Sequence, residues 1–332
     1  MIKNQIFVGD CTEIMRGFPD SIVSCCITDP PCNYEFVGHK WDDEEITRRL
    51  ERTRSSESKT LVKNIPYGSG LAGGVRNKNW YERNRQNILD YENWCVAWGT
   101  ELFRVCKPGA TVAVFNSTRT AAHVQVALER AGFYARDTVV YRRSSGIPKG
   151  INIRDQLTKR DVSNAETWDG WHSCLRGEWE AVCIVQKPLA TNYIETAMTF
   201  GTGLFYTKSS DGGFQSNILE NIPRGRTEDF NVHCTVKPLP LMKKLVEIFA
   251  PRHGGSLVLD PFAGSGTTLV AAKEAGLPFV GIEIEPRYVE ICHKRLASDT
   301  RHRPQSPTRK AMSAKQEIPL FDALEIPQDQ SQ

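Results

Sequence analysis

Several familiar signatures are missing from this sequence. No run approaches the ~18 apolar residues of a membrane span, and the amino end has no apolar signal region. The expectation is a cytoplasmic protein. None of the ten cysteines stands in a C-x-x-C pair, so zinc-ribbon and dithiol chemistry lack their usual spacing. Cys25, Cys26, Cys106 and Cys183 lie in apolar runs, which reads as buried free thiols in a reducing compartment. Charge of neither sign dominates. With 42 basic and 39 acidic residues the net charge is +3, compatible with a polyanionic partner or a small substrate. A hydrophobic content of 40% is ordinary for a folded chain. The 332 residues can bury a full core, as one α/β domain with insertions or as two domains.

What is present is an alternation of apolar strands and amphipathic helices, predicting a parallel sheet covered on both faces. Strands are expected at Gln5–Val8, Ile22–Thr28, Ala110–Phe115, Thr138–Arg142, Ala181–Val185, Ser256–Leu259 and Phe279–Ile282. Helices are expected at Glu92–Cys106, Thr118–Ala131, Leu239–Ala250, Thr267–Ala275 and Pro286–Ala297. Three stretches break the rhythm. Residues 35–90 mix charge with a glycine-rich run and read as an insertion, either solvated or DNA-contacting. Residues 191–231 are rich in Gly, Ser and Thr, and beyond Ser298 the chain turns polar and proline-rich, as disordered tails do.

Two motifs carry chemistry. Downstream of a buried-strand pattern stands Asp260-Pro261-Phe262-Ala263-Gly264-Ser265-Gly266-Thr267-Thr268, which opens a helix. Its glycines permit a tight turn and close backbone approach to a ligand. The next strand ends in Glu283, followed by Ile284, and a carboxylate at that place binds ribose hydroxyls in Rossmann-like folds. The loop lacks the Lys-Ser/Thr ending of a phosphate-binding P-loop. Near the amino end, Asp29-Pro30-Pro31-Cys32-Asn33-Tyr34 follows another buried-strand pattern. Two prolines remove two N–H donors and fix φ, leaving a rigid set of acceptors. Such a tip suits an exocyclic amino group, whose two protons the Asp29 carboxylate and Pro30 carbonyl can accept. In a doubly wound sheet the two motifs meet if their strands flank the topological switch point.

These residues resemble the amino-methylating DNA methyltransferases, which form N6-methyladenine or N4-methylcytosine. The base motif precedes the cofactor loop, as in the circularly permuted β group. Gly9-Asp10-Cys11 is similar to the segment at the cofactor's adenine, and His233-Cys234-Thr235-Val236-Lys237-Pro238 to the segment near its methionine carboxylate. Arg104–Gly109, and Glu180 followed by Lys187-Pro188, also fit. Trp168-Asp169-Gly170-Trp171, Trp41-Asp42 and Gly146–Gly150 resemble a phage and prophage subgroup.

The resemblance implies a Rossmann-like seven-stranded fold, permuted, with insertions, whose last strand pair is antiparallel. It implies direct in-line methyl transfer from S-adenosylmethionine to a base flipped from double-stranded DNA. The implied catalytic residues are Asp29, Pro30, Pro31, Cys32 and Tyr34. The implied cofactor residues are Asp10, Cys11, Asp29, Thr235, Lys237, Asp260–Thr268, Glu283 and Ile284; no metal is called for. A catalytic domain is expected over residues 1–298, with a target-recognition region over 189–232 that contains Lys208, Arg224 and Arg226. The resemblance also suits a restriction–modification setting in a bacterial or phage-infected cell, as monomer or dimer. Its leading Asp favours adenine N6 over cytosine N4.

Cys32 departs from the family, which places an aromatic there to stack on the base; such stacking is worth ~1–3 kcal/mol. Tyr34 and Phe36 are the nearby substitutes. Pro30-Pro31-Cys32 also resembles the nucleophile motif of C5-cytosine methyltransferases, with an echo of its partner motif in Glu220-Asn221-Ile222. Motif order speaks against that mechanism. The missing aromatic leaves a third reading, a catalytically weakened DNA-binding protein. Trp168 and Trp171 are read as core before pocket. In the tail, Gln316-Glu317-Ile318-Pro319-Leu320-Phe321 resembles the peptide that docks on bacterial sliding clamps.

Overall fold

The computed structural model describes residues 2–32, 78–143, 151–209, 212–223, 225, 227–231, 233, 236–252 and 255–298, with side chains from 85 onward in the first helix after the gap. Eight strands form one sheet, β1 (Gln5–Val8), β2 (Val23–Thr28), β3 (Cys106–Asn116), β4 (Tyr134–Arg142), β5 (Trp179–Gln186), β6 (Ile218–Leu219), β7 (Val258–Asp260) and β8 (Phe279–Glu283). Their order is β1-β8-β7-β2-β3-β5-β4-β6. All seven predicted strands form. The eighth, β6, is a two-residue strand on the edge, paired to β4 at Val140↔Ile218 and Tyr141↔Leu219. Two residues give no periodicity to read.

The sheet is mixed. β5 pairs antiparallel with both β3 and β4, while the other pairings are parallel. The start of β5 therefore lies on the edge where the other strands end. β2 lies between β7 and β3, and the chain runs outward in opposite directions from β7 and β2. Ligands bind at the carboxyl ends of strands at such a switch point.

Burial explains the continuous apolar runs. Every residue of β2 is buried, and neighbours alternate between the two faces. Cys26, Val112 and Val114 pack with Trp98, Leu102 and Leu128. Cys25, Ile27, Ala113 and Phe115 pack with Leu241, Leu245 and Leu269. The first group brings α2 (Lys78–Val105) and α3 (Ala121–Arg130) to one face. The second brings α6 (Leu239–Phe249) and α7 (Thr267–Glu274) to the other. The sheet is thus covered on both sides.

The five predicted helices are present, but α2 begins at Lys78, inside the stretch read as an insertion. Three short helices were missed: α1 (Cys11–Arg16), α4 (Ile153–Thr158) and α5 (Tyr193–Phe200). Six to eight residues are too few for a stripe of helical period, so their caps are the better signal. Asp10 caps α1, accepting from the N–H of Thr12 at 2.8 Å and of Glu13 at 3.2 Å. Asn192 caps α5. The last helix, α8 (Pro286–Ala297), matches its predicted span. Among the described residues no helix is long and apolar enough to cross a membrane.

Trp168 and Trp171 are not core. They are 47% and 64% exposed and form an edge-to-face pair in the segment between β4 and β5. Among the described residues of that segment only Ala165 is buried, so it supplies too little interior to hide two indoles.

Candidate active site

The two motifs meet across the β7–β2 pair. Thr28, the last residue of β2, donates its hydroxyl to Asp260 Oδ1 at 2.7 Å, and Asp29 follows directly. The N–H of Phe262 also donates to Asp260, at 3.1 Å. Burial raises the Asp260 carboxyl to about 6 against the opposing effect of these hydrogen bonds.

The glycine loop is built from small residues and one carboxylate. Gly264 and Gly266 have φ of 52° and 79°, left-handed values that glycine adopts without strain. A Cβ on Gly264 would stand 2.8 Å from His233 Nε2, and one on Gly266 would stand 2.8 Å from Cys292 Sγ. Glu283 closes the loop, accepting from the N–H of Gly264 at 2.7 Å and of Glu285 at 2.9 Å. Ala263, Ser265, Thr267 and Thr268 are buried, as is Pro261, while Ile284 is exposed beside Glu283. Phe262 packs between Trp94 and Trp98 of α2, 5.5 Å from each ring.

Residues that the sequence did not single out hold the outer side of this loop. The buried Arg295 guanidinium donates to the Ser265 carbonyl at 2.7 Å and to Thr267 Oγ1 at 2.9 Å. It is paired with buried Glu228, and Asn231 donates to Ser265 Oγ at 3.2 Å. His233 stacks edge-on against Tyr288. Burial, then the cations Lys237 and Arg295, push His233 down to about 4, so its imidazole is neutral.

At the base tip the main chain is held by side chains. The Tyr91 hydroxyl donates to the Pro31 carbonyl at 2.8 Å and accepts from Asn116 Nδ2 at 2.7 Å. Thr120 Oγ1 reaches the Cys32 carbonyl at 2.9 Å. Pro30 is buried beneath. The Asp29 carboxylate is bound by the Lys237 ammonium, which also lies 3.6 Å from Glu180. Asn116 was legible as a polar residue ending an apolar run; Tyr91, inside a helix, carried no such mark.

Two assigned residues stand apart from the rest. The Cys11 side chain points into the core, with its thiol pushed up to about 12, while neighbouring Asp10 is exposed and capping α1. Tyr34 and Thr235 lie outside the described residues, as do Phe36, Arg224, Arg226 and the 316–321 peptide. Cys32 is open to solvent. Flanking protein and the Asp29 charge nonetheless raise its thiol above the ordinary range, away from the thiolate that a nucleophile requires. Glu220 belongs elsewhere: it pairs with Arg142 just past β6. β6 is four strand positions from β2, roughly 19 Å at ordinary strand spacing.

Comparison with known proteins identifies the family. A family model described as DNA methylase, of the N6/N4 methyltransferase type, matches residues 23–294. The chain belongs to the N6/N4 DNA methylase family. It is 35% identical over 305 residues to the type II methyltransferase M.HindIII of Haemophilus influenzae, covering 88% of this chain and 94% of that one. Among solved structures, the cytosine-N4-specific PvuII DNA methyltransferase shares the fold at a TM-score of 0.56 and 14% identity, covering 89% of this chain and 87% of its own. The Thermus thermophilus protein TTHA0409 does so at 0.53 and 19%, covering 88% and 94%. The methyltransferase is therefore a site-specific amino-DNA methylating enzyme of Rossmann-like fold that uses S-adenosylmethionine.

The residues of the loop fit that cofactor. Each Glu283 oxygen accepts one backbone N–H and keeps a second lone pair for a ribose hydroxyl. Gly264 and Gly266 let the turn pack directly against His233 and Cys292, where a side chain on either would collide.

Proposed function

We propose that this methyltransferase modifies the exocyclic N6 of adenine in double-stranded DNA, on a base flipped out of the duplex. S-adenosylmethionine supplies the methyl group as an activated sulfonium substituent. The observation that carries the reading is the acceptor-only tip at the end of β2. Asp29 is gripped by Lys237, and the carbonyls after it are anchored by Tyr91 and Thr120. An amino group placed there meets acceptors for its protons, which keeps its nitrogen lone pair directed at the methyl carbon. The chain's contribution is positioning and charge, with no covalent intermediate. Asp29 as the leading residue supports adenine, since N4 enzymes of the resembling family often carry Ser there.

Cofactor contacts are assigned to the Asp260–Thr268 backbone, to Glu283 at the ribose, and to Asp10 and Ile284 at the adenine end. Residues 1–298 are read as the catalytic domain, with 189–232 as the DNA-reading region, and the setting as cytoplasmic. The 316–321 peptide is read as a clamp-docking tail; Phe321→Ala should then abolish capture by a sliding clamp, and unchanged capture would refute it. The methylation reading is tested by incubating the enzyme with labelled cofactor and mixed-sequence duplex, then resolving the nucleosides by mass spectrometry. N6-methyladenine is the expected product. N4-methylcytosine would move the target to cytosine, and no methylated base in any duplex would refute the reading.

A further inference from the structure

Glu180 lies at the start of the strand that runs against all others, so it sits on the carboxyl edge of the sheet with Asp29 and Asp260. One of its oxygens is 3.6 Å from Lys237 Nζ and the other is 3.5 Å from Arg143 Nη1. The Lys237 ammonium binds Asp29 Oδ2 and lies 4.9 Å from the centre of the Phe115 ring. The backbone of Lys237 is fixed by Pro238, at the start of α6. Two carboxylates and two cations thus form one balanced row, Asp29–Lys237–Glu180–Arg143. We propose that Glu180 is a positioning residue for methyl transfer, holding Lys237 so that Lys237 orients the Asp29 carboxylate toward the target amino group. This rests on the reading that Asp29 receives that amino group.

A carboxylate with two free oxygens can turn about its last torsion. With Oδ2 committed to an ammonium, Oδ1 has one direction, and it is the oxygen left to accept an amino proton. Lysine alone is a poor clamp, because its charge rides on a flexible four-carbon stem. Glu180 and the Phe115 ring face remove that freedom. Burial works against a charge on Lys237, yet Asp29 and Glu180 outweigh it and raise its pKa, so the ammonium persists. The arrangement gives Lys237 work at the base end of the site, where the family resemblance had put it at the cofactor's methionine end.

A double-mutant cycle under single-turnover conditions tests the assignment, alongside calorimetric titration of S-adenosylmethionine into each variant. Glu180→Gln should slow methyl transfer about tenfold and Lys237→Met about a hundredfold, the scale expected for misplacing a reacting group. Cofactor affinity should stay within about twofold in both, which also shows that each variant is folded. The double variant should be no slower than Lys237→Met alone, because Glu180 acts through Lys237. Should Lys237→Met fail to fold, Glu180→Gln alone decides. Transfer at the wild-type rate in Glu180→Gln would overturn the proposal. So would a large loss of cofactor affinity in Lys237→Met with an unchanged rate at saturation, since that would place the ammonium on the cofactor. A wild-type enzyme that methylates no base refutes the functional reading itself, and this inference with it.

Discussion

Cys32 stands where the family carries a stacking aromatic, and its surroundings disfavour a thiolate. Burial by flanking protein and the neighbouring Asp29 charge both favour the neutral form, whereas nucleophilic cysteines sit in electropositive surroundings that stabilise a thiolate. Lys237 opposes the shift but is committed to Asp29 and Glu180. Cys32→Ala is therefore expected to keep single-turnover methyl transfer within about threefold of wild type, the change amounting to a small loss of contact. Loss of transfer with intact DNA binding would revive the covalent mechanism. At the same scale, Cys11 shows that a residue inside a motif need not face the ligand. Asp10 turns outward as a helix cap while its neighbour fills the core.

Among the elements, α2 ties the two halves of the site together. Trp94 and Trp98 hold Phe262 of the cofactor loop, and Tyr91, on the same helix, holds Pro31 of the base tip. A helix is a stiff ruler, so this packing fixes the distance between the Asp260–Thr268 loop and the Asp29–Cys32 tip. Tyr91→Phe keeps the ring and deletes only the hydroxyl, leaving Asn116 Nδ2 and the Pro31 carbonyl each without this partner. Such a loss costs about 1–3 kcal/mol. The expected result is a lower urea midpoint and a slower transfer step, with cofactor affinity unchanged. Equal rates for Tyr91→Phe and wild type would show that the tip holds its shape without this bond.

For the whole molecule, two buried groups at the site bend stability with pH in opposite directions. His233 is lowered to about 4 from 6.5, so between those values the unfolded chain binds the proton and the folded one does not. Its contribution to stability is lost as pH falls through that window. Asp260 is raised to about 6 from 3.8, so the folded chain binds that proton first and gains stability as pH falls through its window. Each effect is on the order of 3 kcal/mol, and they offset one another. His233→Gln should therefore make the protein more stable at pH 4.5 relative to pH 7 than wild type is, and Asp260→Asn should do the reverse. Urea midpoints at the two pH values measure both. Parallel profiles for the three proteins would contradict the burial assigned to these groups.

The sequence by itself determined the fold class, seven strands, five helices and the two motifs, because each rests on local signals. Apolar runs such as Ile22–Thr28 bury on both faces, and Gly264 and Gly266 mark a turn that other residues resist. Motif order set the expectation of a permuted group. Only the tertiary structure decided which side chains support the motifs. Tyr91, Thr120, Glu228 and Arg295 act across gaps of about 30 to 90 residues, and separations of that length leave no periodic trace. It also decided the direction of β5, which brings Glu180 to the carboxyl edge of the sheet beside Asp29, and the exposure of Trp168 and Trp171, which hydrophobicity alone had assigned to the core. Local chemistry marks the two motifs; the strand order and the packing of α2 decide how they are brought together.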